Sequence, residues 1–205
     1  MKVVSVLALM ILISIGVSAS DTDYIRVHFL YGSTPKREFK ESETKWFGGK
    51  LGGHVGVEVG TDSILNFVPD GKFHVFQKKD DLHSLYTIHS FESFYSILGG
   101  ESDLNKKTIF KVPITKSQRK LLDSLTKEYL ILTPYDYSLF GMRCGAATYD
   151  ILSRVGVLPM KSYSKTWKKI FYPKLLRKIM FSKARELGWE IETFPGSQTR
   201  NWERD

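Results

Sequence analysis

The chain predicts an α+β fold: an antiparallel sheet meander with helices packed on one side. Three observations predict it. First, His54–Gly60 alternates cleanly, with Val55, Val57 and Val59 on one face and His54, Gly56 and Glu58 on the other. Second, short turn-forming stretches (Thr61, Asp62 and Ser63, then Asp70 and Gly71) separate that run from two further β-rich segments, as successive hairpins require. Third, Leu121, Leu122, Leu125, Tyr129 and Leu132 recur at helical intervals, which predicts a helix over residues 117–131.

The remaining elements follow in chain order. Residues 24–31 are rich in β-formers and read as the first strand, ended by residues 32–35. Residues 36–45 are a polar connection. Gly48, Gly49, Gly52 and Gly53 then allow tight turns and close approach of a ligand. They precede a strand and lack a Lys-Ser/Thr ending, which argues against a phosphate-binding loop. Residues 64–69 and 72–78 complete the meander. Residues 85–89 read as strand, 91–98 as a short helix and 108–114 as strand. Thr115 or Ser117 caps the helix that follows. Residues 144–155 form a second helix. Residues 167–187 are helical with an interruption at Pro173 and a stop at Gly188, and 189–194 read as a last strand. No repeat or linker divides the chain, so residues 20–205 are expected to form a single domain.

Residues 1–19 read as a signal peptide: Lys2, an apolar run over 3–17, and the small residues Val17, Ser18 and Ala19. The run is shorter than the roughly 20 residues of a membrane span. The expectation is a secreted or periplasmic protein, with an uncleaved signal anchor as the alternative. The net charge of +8 suits an anionic polymer or membrane surface as partner, and equally mere solubility. Nucleic acid is not expected after export.

Cys144 is the only cysteine. An exported protein meets oxidising surroundings, where cysteines usually pair. A solitary thiol at a helix start therefore reads as a nucleophile, because a helix N-terminus favours thiolate. The competing reading is a small buried residue beside Gly145, Ala146 and Ala147. A nearby imidazole can take the thiol proton and a third polar group can orient that imidazole. Of His28, His54, His74, His83 and His89, His54 has the best context: it opens a strand, follows the glycines and faces away from the valines.

The segment Gly53 to Gly60, GHVGVEVG, resembles the histidine strand of NlpC-type papain-like hydrolases, roughly H-V-G-I-Y-x-G. Histidine before cysteine is similar to the circularly permuted branch that includes lecithin retinol acyltransferase-like enzymes. The resemblance implies a papain-like fold, Cys144 as nucleophile, His54 as base, and cleavage or transfer of an amide, ester or thioester acyl group. It also implies a third polar residue about twelve positions after the histidine, which is Asn66 here. The family often carries Asn or Asp before the cysteine; this chain has Arg143. A three-residue turn over 61–63 would pair Glu58 with Asn66 and keep Leu65 and Phe67 with the valines. Glu58 is the competing orienter and His74 a weaker one. Tyr135 and Tyr137 are candidate oxyanion donors beside the Cys144 N–H.

Two functions follow. The first is an exported thiol hydrolase or acyltransferase with Cys144, His54 and Asn66 as its triad, acting on a cell-envelope peptide, acyl or lipid substrate. The second is a non-catalytic envelope-binding module using the basic, aromatic segment 165–185. That segment also reads as a core-facing helix with a solvated basic face. No cofactor is called for, and the scattered histidines suggest no metal site.

Overall fold

The computed structural model describes residues 22–46 and 49–205. The expected signal peptide, and Gly48 of the glycine cluster, lie outside the described residues.

The strands are β1 (Thr22–Leu30), β2 (Ser33–Pro35), β3 (His54–Gly60), β4 (Ser63–Pro69), β5 (His74–Phe76), β6 (Ser84–His89), β7 (Lys107–Thr115), β8 (Ser138–Phe140), β9 (Glu190–Phe194) and β10 (Arg200–Trp202). The helices are α1 (Phe91–Ser96), α2 (Lys116–Ile131), α3 (Cys144–Arg154), α4 (Tyr163–Lys169) and α5 (Pro173–Leu187). Six strands form one antiparallel sheet in the order β6-β4-β3-β1-β7-β9. The class is the expected one: α+β, an antiparallel sheet packed with helices.

Register explains the core. Phe110, Val27, Val57 and Leu65 lie opposite one another across four strands, and all are buried. They pack with Leu122 and Leu125 of α2, Ile151 and Leu152 of α3, and Leu176 and Met180 of α5. Each such side chain contributes roughly 1.5–3 kcal/mol on burial. Thr115 caps α2 in a reciprocal box with Gln118. The expected interruption at Pro173 is present: α4 ends at Lys169, and Pro173 opens α5 in its first turn. Gly188 ends α5 in the left-handed conformation, at φ 71°.

Four expectations are corrected. Helices do not keep to one side: α1 covers the opposite face, where Phe94 and Tyr95 pack on Leu30 and Ile64. The third meander strand is β6, not residues 72–78; β5 leaves the sheet and pairs in parallel with β8. The reason is aromatic burial. Tyr86 of β6 turns inward against Phe67, ring centres 5.1 Å apart, whereas Val75 and Phe76 of β5 stand in solvent. The β3–β4 register also differs. Asn66 lies opposite Gly56, not Glu58, because the connection is a two-residue turn followed by a bulge between Glu58 and Gly60. The extra residue restores the facing that a plain two-residue turn would invert, so Asn66 shares the His54 face. Finally, β2 and β10 pair in a small sheet of their own that the sequence reading missed.

The basic segment contributes Leu176, Met180 and Ala184 to the core, and Arg177 is fully buried in ion pairs with Glu203 and Asp205. Among the described residues no helix is long and apolar enough to cross a membrane.

Candidate functional site

α3 begins at Cys144, with Arg143 in extended conformation before it. The first N–H groups of a helix lack intrahelical partners, and that of Gly145 points to the sulfur. A Cβ on Gly145 would lie 3.1 Å from the backbone of Pro173, so glycine there lets α5 close on the start of α3. Across from the helix, the backbone N–H of Val55 also reaches the sulfur. Val55 follows His54, so the two helix and strand beginnings meet. The Tyr137 hydroxyl completes the surroundings of the thiol.

His54 donates from Nε2 to Asn66 Oδ1 over 2.8 Å. The direction of that bond is determined by the other end of the amide. Asn66 Nδ2 faces the carbonyl oxygens of Ile64 (3.3 Å) and Thr87 (3.2 Å), which can only accept. The same nitrogen reaches Nδ1 of His89 at 3.2 Å. Oδ1 must then be the atom turned to His54, and the imidazole keeps its proton on Nε2. Nδ1 is left with the lone pair. Phe94 packs on the His54 ring, centres 5.4 Å apart. Gly56 makes room for it: a Cβ there would stand 2.9 Å from Phe94 and 2.5 Å from Ile64.

His54 and Cys144 line one cleft of about 570 Å³ at the end of the sheet where β3 begins and β4 finishes. Its walls are largely apolar, with Leu51, Val68, Phe73, Ile97, Leu98 and Leu139 around the two polar groups.

Burial dominates the electrostatics. Desolvation lowers the His54 pKa from 6.5 to about 4, against the opposing effect of its Asn66 bond. Desolvation also raises the Cys144 thiol above its ordinary value, outweighing Arg143, Tyr137 and the N–H groups of Gly145 and Val55, which all favour thiolate. The sequence pointed to a stabilised thiolate; the stabilising groups are present, but burial wins, and both the thiol and the imidazole lining the cleft rest neutral. Arg143 is held away from a free role by stacking on Phe171, 3.8 Å from guanidinium carbon to ring centre, and by donating to the Phe171 carbonyl.

The other candidates separate. Glu58 pairs with Arg26 (3.1 Å) and His28 (3.2 Å) and does not touch His54. His28, which could have pointed to solvent, is buried and bonded to Tyr95 through Nδ1. His74 bonds Asp136. Tyr135 spends its hydroxyl on Tyr86 within the core, leaving Tyr137 as the tyrosine at the sulfur. His89 was missed, since its link to Asn66 depends on β6 rather than β5 lying beside β4.

What fold and cleft define is an α+β domain with a thiol, an imidazole and an amide gathered at the end of an antiparallel sheet. Compared with protein-family models, curated proteins and solved structures, the chain matches none.

Proposed function

We propose that the protein is an exported thiol hydrolase or acyltransferase of the permuted papain-like kind. Cys144 is the nucleophile, His54 the base and Asn66 the positioning residue. The observation that carries this reading is the His54 Nε2 to Asn66 Oδ1 bond of 2.8 Å, made by an imidazole that shares a cleft with the chain's one thiol. An amide that pins one ring nitrogen leaves the other as a base of known position.

The chemistry runs from a neutral pair. The thiol proton passes to Nδ1 of His54 as Sγ adds to the substrate carbonyl. Negative charge on the carbonyl oxygen meets the Cys144 N–H and the Tyr137 hydroxyl. The imidazolium then gives its proton to the leaving oxygen or nitrogen, and a thioester stays on Cys144. Water or an acceptor hydroxyl, deprotonated by His54, releases the acyl group. A base that loses its solvation to an apolar cleft gains proton affinity when the sulfur becomes negative beside it.

The apolar walls favour an acyl chain of an envelope lipid over a polar stem peptide. The proposed envelope location rests on the leader-like residues 1–19. p-Nitrophenyl esters of increasing chain length test the reading. Expected are turnover that rises with chain length, a thioester adduct on Cys144 by mass spectrometry, and loss of at least about a thousandfold in C144S and H54A. Turnover unaffected by C144S would sink it. Saturable lipid binding by wild type and C144S alike, without turnover by either, would favour the binding module.

A further inference from the structure

A second cluster lies where β5 and the β5–β6 connection meet the segment before β8. His74, Asp81 and His83 present one ligand atom each within a sphere where all lie no more than 4.8 Å apart. His74 Nε2 is 3.9 Å from Asp81 Oδ2, and His83 Nε2 is 3.1 Å from Asp81 Oδ1. The two rings stand edge to face, centres 4.8 Å apart.

The outer contacts decide what those atoms are. His74 Nδ1 sits 2.7 Å from Asp136 Oδ2. Asp136 is fully buried and also accepts the backbone N–H groups of Lys78 and His83, each at 3.0 Å. Both of its oxygens thus accept N–H donors, which places it as an acceptor and His74 as the donor from Nδ1. His83 Nδ1 lies 3.2 Å from the Asp70 carbonyl oxygen, which likewise only accepts. With Nδ1 donating in each ring, both Nε2 atoms turn toward the Asp81 carboxylate. A cation between them, a proton on the ring or a metal ion, reconciles the three groups. Metal-ligating histidines carry this signature: the far nitrogen tied to a carboxylate or carbonyl, the near one free.

We propose that His74, His83 and Asp81 bind a divalent transition ion of the zinc class, with Asp136 and the Asp70 carbonyl orienting the rings and water completing the shell. Bonds of about 2.0–2.2 Å in a tetrahedral site put ligand atoms about 3.4 Å apart. The three ligand atoms lie within 4.8 Å of one another, so side-chain rotation alone can bring them to that spacing. Two imidazoles and one carboxylate suit zinc better than calcium or magnesium. The ion clips the β5 region to the chain around Asp136, one residue before Tyr137. Phe73, which precedes His74, packs on Tyr137 at 5.7 Å and lines the thiol cleft, so the ion braces a cleft wall. The proposal does not require the thiol chemistry.

Cys144 is itself a potential ligand, so the test uses the full chain carrying C144S, freed of metal and titrated with Zn²⁺ by calorimetry and with Co²⁺ by visible absorption. Expected is one equivalent bound at micromolar or tighter affinity, with Co²⁺ bands of a four- or five-coordinate site. H74Q and H83Q should each weaken binding at least about tenfold, and D136N, which touches no ion, by about 10–100-fold. D81N lies on an exposed side chain and leaves folding alone, so its expected loss of affinity stands even if a buried variant fails to fold. No binding by the C144S chain would overturn the proposal, as would H74Q/H83Q or D81N binding as tightly as the parent.

Discussion

The His54 ring makes stability depend on acid in a defined window. Its pKa falls from 6.5 to about 4 because burial disfavours the imidazolium. Between those two values the unfolded chain binds a proton that the folded chain refuses. Stability is therefore complete above pH 6.5 and declines as the pH drops toward 4. At 1.36 kcal/mol per pH unit, the decline attributable to this ring is about 3 kcal/mol. His28 and His89 are also pushed down by burial and add slope of the same sign, so the wild-type curve alone does not isolate His54. The substitution His54→Gln does. Glutamine does not titrate, and its amide can still donate to Asn66 Oδ1. Urea unfolding of wild type and His54→Gln at half-unit steps from pH 8 to 4, followed by tryptophan fluorescence, should give curves that are parallel above pH 7. Below it they should converge or cross as wild type loses the extra 3 kcal/mol or so. Curves parallel over the whole range would mean that His54 titrates normally in the fold, and hence that the ring is open to water and not sealed against Asn66 and Phe94.

Three other substitutions probe separate contacts. Asn66→Ala leaves the His54 Nε2–H buried without its 2.8 Å acceptor; it should cost about 1–3 kcal/mol in the same urea assay and lower ester turnover further than that loss of folded protein explains. Gly56→Ala drives a Cβ to within 2.5 Å of Ile64 and 2.9 Å of Phe94, so a destabilisation of about 1–3 kcal/mol from overpacking is expected, with a shifted His54 ring signal by NMR. Arg177→Met strands the buried Glu203 carboxylate, 2.8 Å from the guanidinium. Removing one partner of a buried pair costs about 3–5 kcal/mol, and thermal melting should show the loss shrinking as acid protonates Glu203.

Local signals in the chain carried the elements that local physics determines. The valine alternation placed β3, the leucine spacing and Thr115 placed α2, and Gly188 ended α5 where a left-handed residue was needed. The failures lie where two segments compete for one neighbour. Residues 72–78 and 84–89 both have strand character, and only the partners of Tyr86, among them Phe67, Tyr129 and Tyr135, select the second. Those aromatics come from β4 and from the end of α2 and the connection after it, and no window around Tyr86 contains them. The bulge after Glu58 is of the same kind. It is invisible in composition, yet it determines whether Asn66 faces an imidazole or the core.

That choice of edge strand also created both candidate sites. With β6 against β4, His89 and the Thr87 carbonyl arrive beside Asn66 and lock its amide toward His54. With β5 thereby displaced onto β8, His74 is carried to the buried Asp136. The connection that returns to β6 then folds Asp81 and His83 back over it. A β5 paired in the meander, as first expected, would leave Asn66 without the Thr87 carbonyl and His74 without Asp136. The thiol cleft and the histidine cluster are thus consequences of one pairing decision. Tyr137, which touches the Cys144 sulfur and Phe73 alike, is the side chain through which a change at one would reach the other.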